Sequence, residues 1–194
     1  MNGHFALLFF IIGVVSSMLF NIDLSQYLDI PLILLLFLVG YDIASNVNLK
    51  EVKIYTLRAT IVVFSTVIGS MIGGLIASTL LNMSLREGVA AALGMGWYTM
   101  TAPLLLEKIG SSAAFIGFAS NFLREVISLL TYPYLSKVVG ATPAIAMAGA
   151  TSMDTTLPVI SKYGGKENTI IALIHGSLVT MLAPILVQIA LNIF

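Results

Sequence analysis

The 194-residue sequence contains no cysteine. Disulfides, thiolate metal sites and cysteine nucleophiles are therefore excluded, and the redox compartment cannot be read. Charge is scarce as well: 9% of residues are Asp, Glu, Lys or Arg, against roughly 25% in ordinary soluble domains. Nine basic and nine acidic side chains cannot clothe a 20.7 kDa globule in water. They also cancel to a net charge of +0, so the electrostatic footprint of a nucleic-acid binder is missing. The two histidines, His4 and His175, lie far apart and match no metal-ligand spacing. No phosphate loop, Ser-His-Asp order or His-Glu-x-x-His is present, and Gly94-x-Gly96 is not followed by the rest of a dinucleotide fingerprint. No cofactor is expected. The first apolar run lacks a basic leader and an Ala-x-Ala cleavage site, so it reads as a retained helix.

What is abundant is apolar surface: 58% hydrophobic residues and a mean hydropathy of +1.02. The expected fold class is an all-α polytopic membrane protein, a single transmembrane transporter domain over residues 1–194. A bilayer core of about 30 Å needs about 20 apolar residues as a helix. Runs at 3–20, 30–46, 54–81, 111–139 and 167–194 meet or approach this length. Two further segments, 86–108 and 142–163, are apolar but broken, the first at Gly94-Met95-Gly96-Trp97 and the second at Gly149-Ala150-Thr151-Ser152. Each carries a proline in its second half, Pro103 and Pro158, and each is followed by a long helix. The pattern predicts about seven crossings, with two discontinuous helices in a weak internal repeat.

Basic residues set the orientation. Lys50, Lys53, Arg58, Lys108, Lys162 and Lys166 fall on one side of a seven-crossing count; Arg86 and Lys137 fall on the other. This predicts a cytoplasmic N-terminus and an external C-terminus. In the third run, Ser65, Gly69, Gly73 and Ala77 recur every four residues and are expected to admit a neighbouring helix.

Polar groups at mid-membrane are costly and usually functional. Asn121, Arg124, Glu125 and Ser128 fall at i, i+3, i+4 and i+7 on one helix. A rise of about 1.5 Å per residue places them near mid-depth. They read as a transport or proton site, or as an Arg–Glu pair that locks helices together. The second candidate is the break Gly149–Thr156 with Asp154. A broken helix exposes carbonyls at one end and N–H groups at the other, negative and positive by their dipoles. One break thus offers an ammonium site beside a carboxylate site, which matches a zwitterionic amino acid, and transporters use breaks this way. Asp154 is a cation or proton ligand, or merely a cap for the second half-helix, as Ser152 could be. In the first break, Tyr98, Thr99 and Thr101 can donate hydrogen bonds, and Trp97 can wall a substrate stem or stack on a cation. His175 is a satisfied interhelical partner or a proton relay. Asp42 is an interfacial group or lines a path; Glu107 and Lys108 are expected at an interface.

Several strings recur in order: Leu34-Leu35-Leu36-Phe37-Leu38-Val39-Gly40, Gly94-Met95-Gly96-Trp97-Tyr98, Asn121-Phe122-Leu123-Arg124-Glu125, Gly149-Ala150-Thr151-Ser152-Met153-Asp154 and Ile174-His175-Gly176. Together they resemble the LysO-type lysine exporter family over nearly the whole chain. The resemblance implies export of L-lysine, and of analogues such as thialysine, across a prokaryotic cytoplasmic (inner) membrane. It implies that the two key acids are Glu125 and Asp154. It also implies about a hundred further residues ahead of the matched region, supplied here by a small membrane subunit or dispensed with in a homodimer. The expected mechanism is proton or sodium antiport. Glu125 and Asp154 exchange the coupling ion for lysine, while Asn121, Arg124, Trp97, Tyr98, Thr99, Thr151, Ser152 and His175 form the substrate shell. The rivals are a non-transporting membrane subunit, a passive channel and, least supported, an intramembrane hydrolase using Asp154 with Glu125.

Overall fold

A computed structural model describes residues 49–194, together with Ile12, Ser16, Leu34, Phe37, Leu38 and Tyr41, which are helical. Backbone contacts divide the chain into Met1–Ser45 and Asn46–Phe194. Every element below belongs to the second unit. The expected runs at 3–20 and 30–46, with His4 and Asp42, lie almost wholly outside the described residues.

The second unit is helical, with no strand among the described residues. Helix α1 spans Leu49–Leu80, α2 Leu85–Ala92, α3 Tyr98–Lys108 and α4 Ser111–Val138. A short turn of helix, α5, covers Ala141–Ala144 and runs into 3-10 segments at Ile145–Met147 and Gly149–Met153; α6 covers Leu157–Ile193. Three of these, α1, α4 and α6, are long and apolar enough to cross a membrane. Their outer faces carry exposed Ile61, Phe64, Ile68, Phe115, Leu130 and Ile185. Such faces suit lipid, where packing and hydrogen bonds rather than water exclusion hold helices together.

Local chemistry explains the ends. Ser84 and Glu87 form a capping box at α2: Glu87 N–H donates to Ser84 Oγ at 3.2 Å, and Ser84 N–H donates to Glu87 Oε2 at 3.1 Å. Helix α2 then lies tightly on α1, where a Cβ at Gly74 would stand 2.9 Å from the Gly88 carbonyl. The packing row on α1 is Thr66, Ser70, Gly74 and Ser78, all buried. The expected row is its neighbour: among the described residues, Gly69 and Gly73 meet nothing within 4 Å. Both rows repeat every four residues and both are small, so spacing alone does not choose between them. Hydroxyls in the used row are satisfied locally, Thr66 by the Val62 carbonyl and Ser78 by the Gly74 carbonyl.

The second broken segment departs from the expected pair of half-helices. Its first part is one α-turn followed by 3-10 winding. An α-helix there would direct the Ala150 N–H to the Ala146 carbonyl; instead it donates to Met95 O at 2.8 Å. Its second part joins the last apolar run without a loop. The join is Gly165, at φ 76° and ψ −179°, a conformation essentially restricted to glycine. Around the breaks packs a core of Val63, Met95, Ala150, Val179 and Ala183.

Candidate functional site: a cavity between two paired helix breaks

The two breaks face each other, backbone to backbone. Besides the Ala150–Met95 bond, a Cβ at Gly149 would lie 2.0 Å from the Met95 carbonyl oxygen. Gly149 also has φ 62°. Only glycine permits both the turn and the approach. Gly96 sits on the same seam, with the space for a Cβ 3.1 Å from the Ala148 carbonyl.

Beside this seam lies a cavity of about 200 Å³. Its walls include Trp97, Tyr98 and Thr99 from the first break, Thr151, Asp154 and Thr155 from the second, and Glu125 from α4. The two acids picked from the sequence therefore share one cavity. Glu125 is 8% exposed. Asp154 Oδ1 accepts from the Thr155 N–H at 2.6 Å and from the Thr155 hydroxyl at 3.1 Å. The same threonine lines the cavity together with Glu125. Asp154 does not cap the first turn of α6, whose N-cap position, Thr156, makes no side-chain cap bond. The start of α3 adds backbone donors: its first N–H groups have no intrahelical partner, and Trp97 caps none of them. Tyr98 is wedged edge-on against Phe118 and Phe122, with centroids 5.4 and 5.9 Å apart.

Four expected shell residues are not among the cavity's lining; they brace the breaks. Asn121 is buried; its Oδ1 accepts from the Gly96 N–H at 2.6 Å, and its Nδ2 donates to the carbonyls of Ala91 and Gly117 at 2.8 Å each. Arg124 turns to the other side of α4 from Glu125 and forms no ion pair among the described residues. It donates to Met147 O at 2.9 Å, Ala146 O at 3.2 Å and Ser70 Oγ at 2.8 Å. The carbonyl end expected to attract an ammonium is thus occupied by the protein's own guanidinium. Ser152 and His175 bond to each other at 2.9 Å, away from the cavity. Glu107 and Lys108 are exposed at the end of α3, 2.8 Å apart.

Sequence reasoning passed over Thr155, Thr180, Ser70 and Thr66. Thr155 adjoins Asp154 in the same string, which is signal enough. Thr66 and Ser70 were legible only as hydroxyls in an apolar helix.

No solved structure matches the chain. A protein of Escherichia coli strain K12 named lysine exporter LysO is 36% identical over 179 residues, covering 92% of this chain and 59% of that protein. A Haemophilus influenzae protein described as a candidate lysine exporter is 36% identical over 156 residues, covering 80% of this chain and 79% of its own length. The chain therefore spans less than two thirds of the Escherichia coli relative. The family described as lysine exporter LysO matches residues 7–191, and the chain belongs to that family.

Proposed function

We propose that this chain forms the translocation core of a secondary transporter that exports L-lysine, and analogues such as thialysine, across a prokaryotic inner membrane. The observation that carries this is the shared cavity, with Glu125 and Asp154 set between two helix breaks. Two carboxylates fit the two ammonium groups of lysine, and the N-terminal turn of α3 offers donors to its carboxylate. Trp97 walls the aliphatic stem. A carboxyl that holds a proton cannot also hold an ammonium by charge, so coupling ion and substrate compete for the same atoms. That competition is what antiport with H+ (or Na+) requires. Arg124 and Asn121 hold the two breaks in place rather than touching substrate.

In this reading the chain crosses the membrane seven times with its N-terminus in the cytoplasm, placing Arg58, Lys108, Lys162 and Lys166 on the inner side. The two broken segments are discontinuous crossings, and one bundle rocks against another around the seam. In this reading the working unit includes a second copy of the chain or a small membrane subunit.

The chain's single tryptophan, Trp97, lines the cavity and provides the test. Lysine should change Trp97 emission saturably in purified protein, while glutamine should not. Glu125→Gln and Asp154→Asn should each abolish the response. An unchanged response in both variants would remove the acids from the substrate site.

A further inference from the structure

Away from the acid-lined cavity lies a second buried polar cluster, which the exchange scheme does not use. His175 on α6 is 0% exposed. Its Nδ1 lies 2.9 Å from Ser152 Oγ in the second break, and its Nε2 lies 2.9 Å from Thr66 Oγ1 on α1. Each hydroxyl has a carbonyl within reach as well: Ala172 O at 2.9 Å for Ser152, and Val62 O at 2.9 Å or Ala146 O at 3.2 Å for Thr66. A hydroxyl has one hydrogen to give. A neutral ring with one N–H therefore satisfies the cluster in either tautomer: one hydroxyl donates to the ring and the other to its carbonyl. An imidazolium would be a fully buried cation. The charged group facing it is another cation, Arg124, and it touches no acid among the described residues.

The backbone around this cluster is equally specific. A Cβ at Gly176 would stand 2.6 Å from Met153 N and 2.8 Å from Ser152 Oγ. Helix α6 thus touches the break where Thr151, Met153 and Asp154 line the cavity and Ser152 points the other way. The Ala146 carbonyl accepts from Arg124 at 3.2 Å, which ties the same break to α4.

We propose that His175 is a positioning residue: a neutral imidazole that bolts Ser152 to Thr66 and so holds Asp154, two residues on, in the cavity. The consequence for function rests on the cavity being the lysine site; the placement itself does not. His175 relays no proton in this account.

The test uses the full chain carrying His4→Gln, which leaves His175 as its one histidine. Nitrogen-15 NMR of labelled histidine should show a neutral ring with a single N–H from about pH 5.5 to 8, a range in which a free imidazole titrates. His175→Leu should shift Trp97 emission before any lysine is added. It should also raise the lysine KM about tenfold, the effect of one to two lost buried hydrogen bonds, and displace the pH profile of transport. His175→Asn, which keeps a donor and an acceptor, should recover part of each. Thr66→Val and Ser152→Ala remove one bond each and carry the test if the leucine variant does not fold. An imidazolium signal within that range, or wild-type emission and KM in His175→Leu and Ser152→Ala, would overturn the proposal. The NMR and emission readouts need no substrate. A chain that shows the neutral ring and the emission shift but binds no lysine sinks the transport reading and leaves the placement standing.

Discussion

Arg124 and Glu125 are adjacent in sequence and opposite in role. Successive residues on a helix point about 100° apart, so an i, i+3, i+4, i+7 set is wide enough to face two ways. Glu125 opens into the cavity, whereas Arg124 reaches across to Ser70 and to the carbonyls of Ala146 and Met147. The arginine therefore does a structural task. Arg124→Gln should lower stability by about 3 kcal/mol, since hydrogen bonds to charged groups contribute about 1.5–3 kcal/mol each and part is regained by the amide. Thermal unfolding in detergent measures it, and an unchanged midpoint would contradict the bracing role. By contrast, the Arg58–Glu167 pair is half-exposed. Arg58→Gln should cost under about 1 kcal/mol in the same assay. The sequence marks Glu125 and Asp154 as acids inside apolar runs, and the fold adds that they line one cavity. The direction of Arg124 was not legible there, because it depends on carbonyls that only the fold brings near.

The elements that matter most are those that fail to be regular. Met95 has φ 47°, Gly96 φ 96° and Gly149 φ 62°, all at the seam between the two broken segments. Glycine and threonine content made both breaks readable in advance. The pairing of Ala150 N–H with Met95 O was not readable, since nothing local states which distant carbonyl replaces an i−4 partner. For the same reason the sequence favours two half-helices at 142–163, while the structure winds 3-10 turns up to Met153. Gly165 is a further consequence of local chemistry. Its Cβ position is open among the described residues, which leaves backbone strain to oppose substitution. Gly165→Ala should destabilise by about 1–3 kcal/mol, the usual range for a side chain forced into sparsely populated φ/ψ space. A loss well below that range, read from the unfolding midpoint, would mean that α6 straightens at little cost.

Among the described residues of the molecule, three helices suit a bilayer, and an irregular seam between shorter segments carries the polar groups. That division follows from composition: nine acids and nine bases cannot coat a surface, so each one inside the membrane needs a partner or a purpose. Among the described residues, the row Thr66, Ser70, Gly74 and Ser78 on α1 is the buried one, beside the row at Ser65, Gly69 and Gly73 that the sequence singles out. The proposed exchange of a coupling ion for lysine at Glu125 and Asp154 requires uphill movement of lysine on an ion gradient. The most direct test is radiolabelled lysine uptake into proteoliposomes under an imposed proton or sodium gradient. The wild-type protein should accumulate lysine against its gradient. Glu125→Gln and Asp154→Asn should each reduce uptake to the level of empty vesicles. Gradient-driven accumulation that survives in both variants would contradict the account.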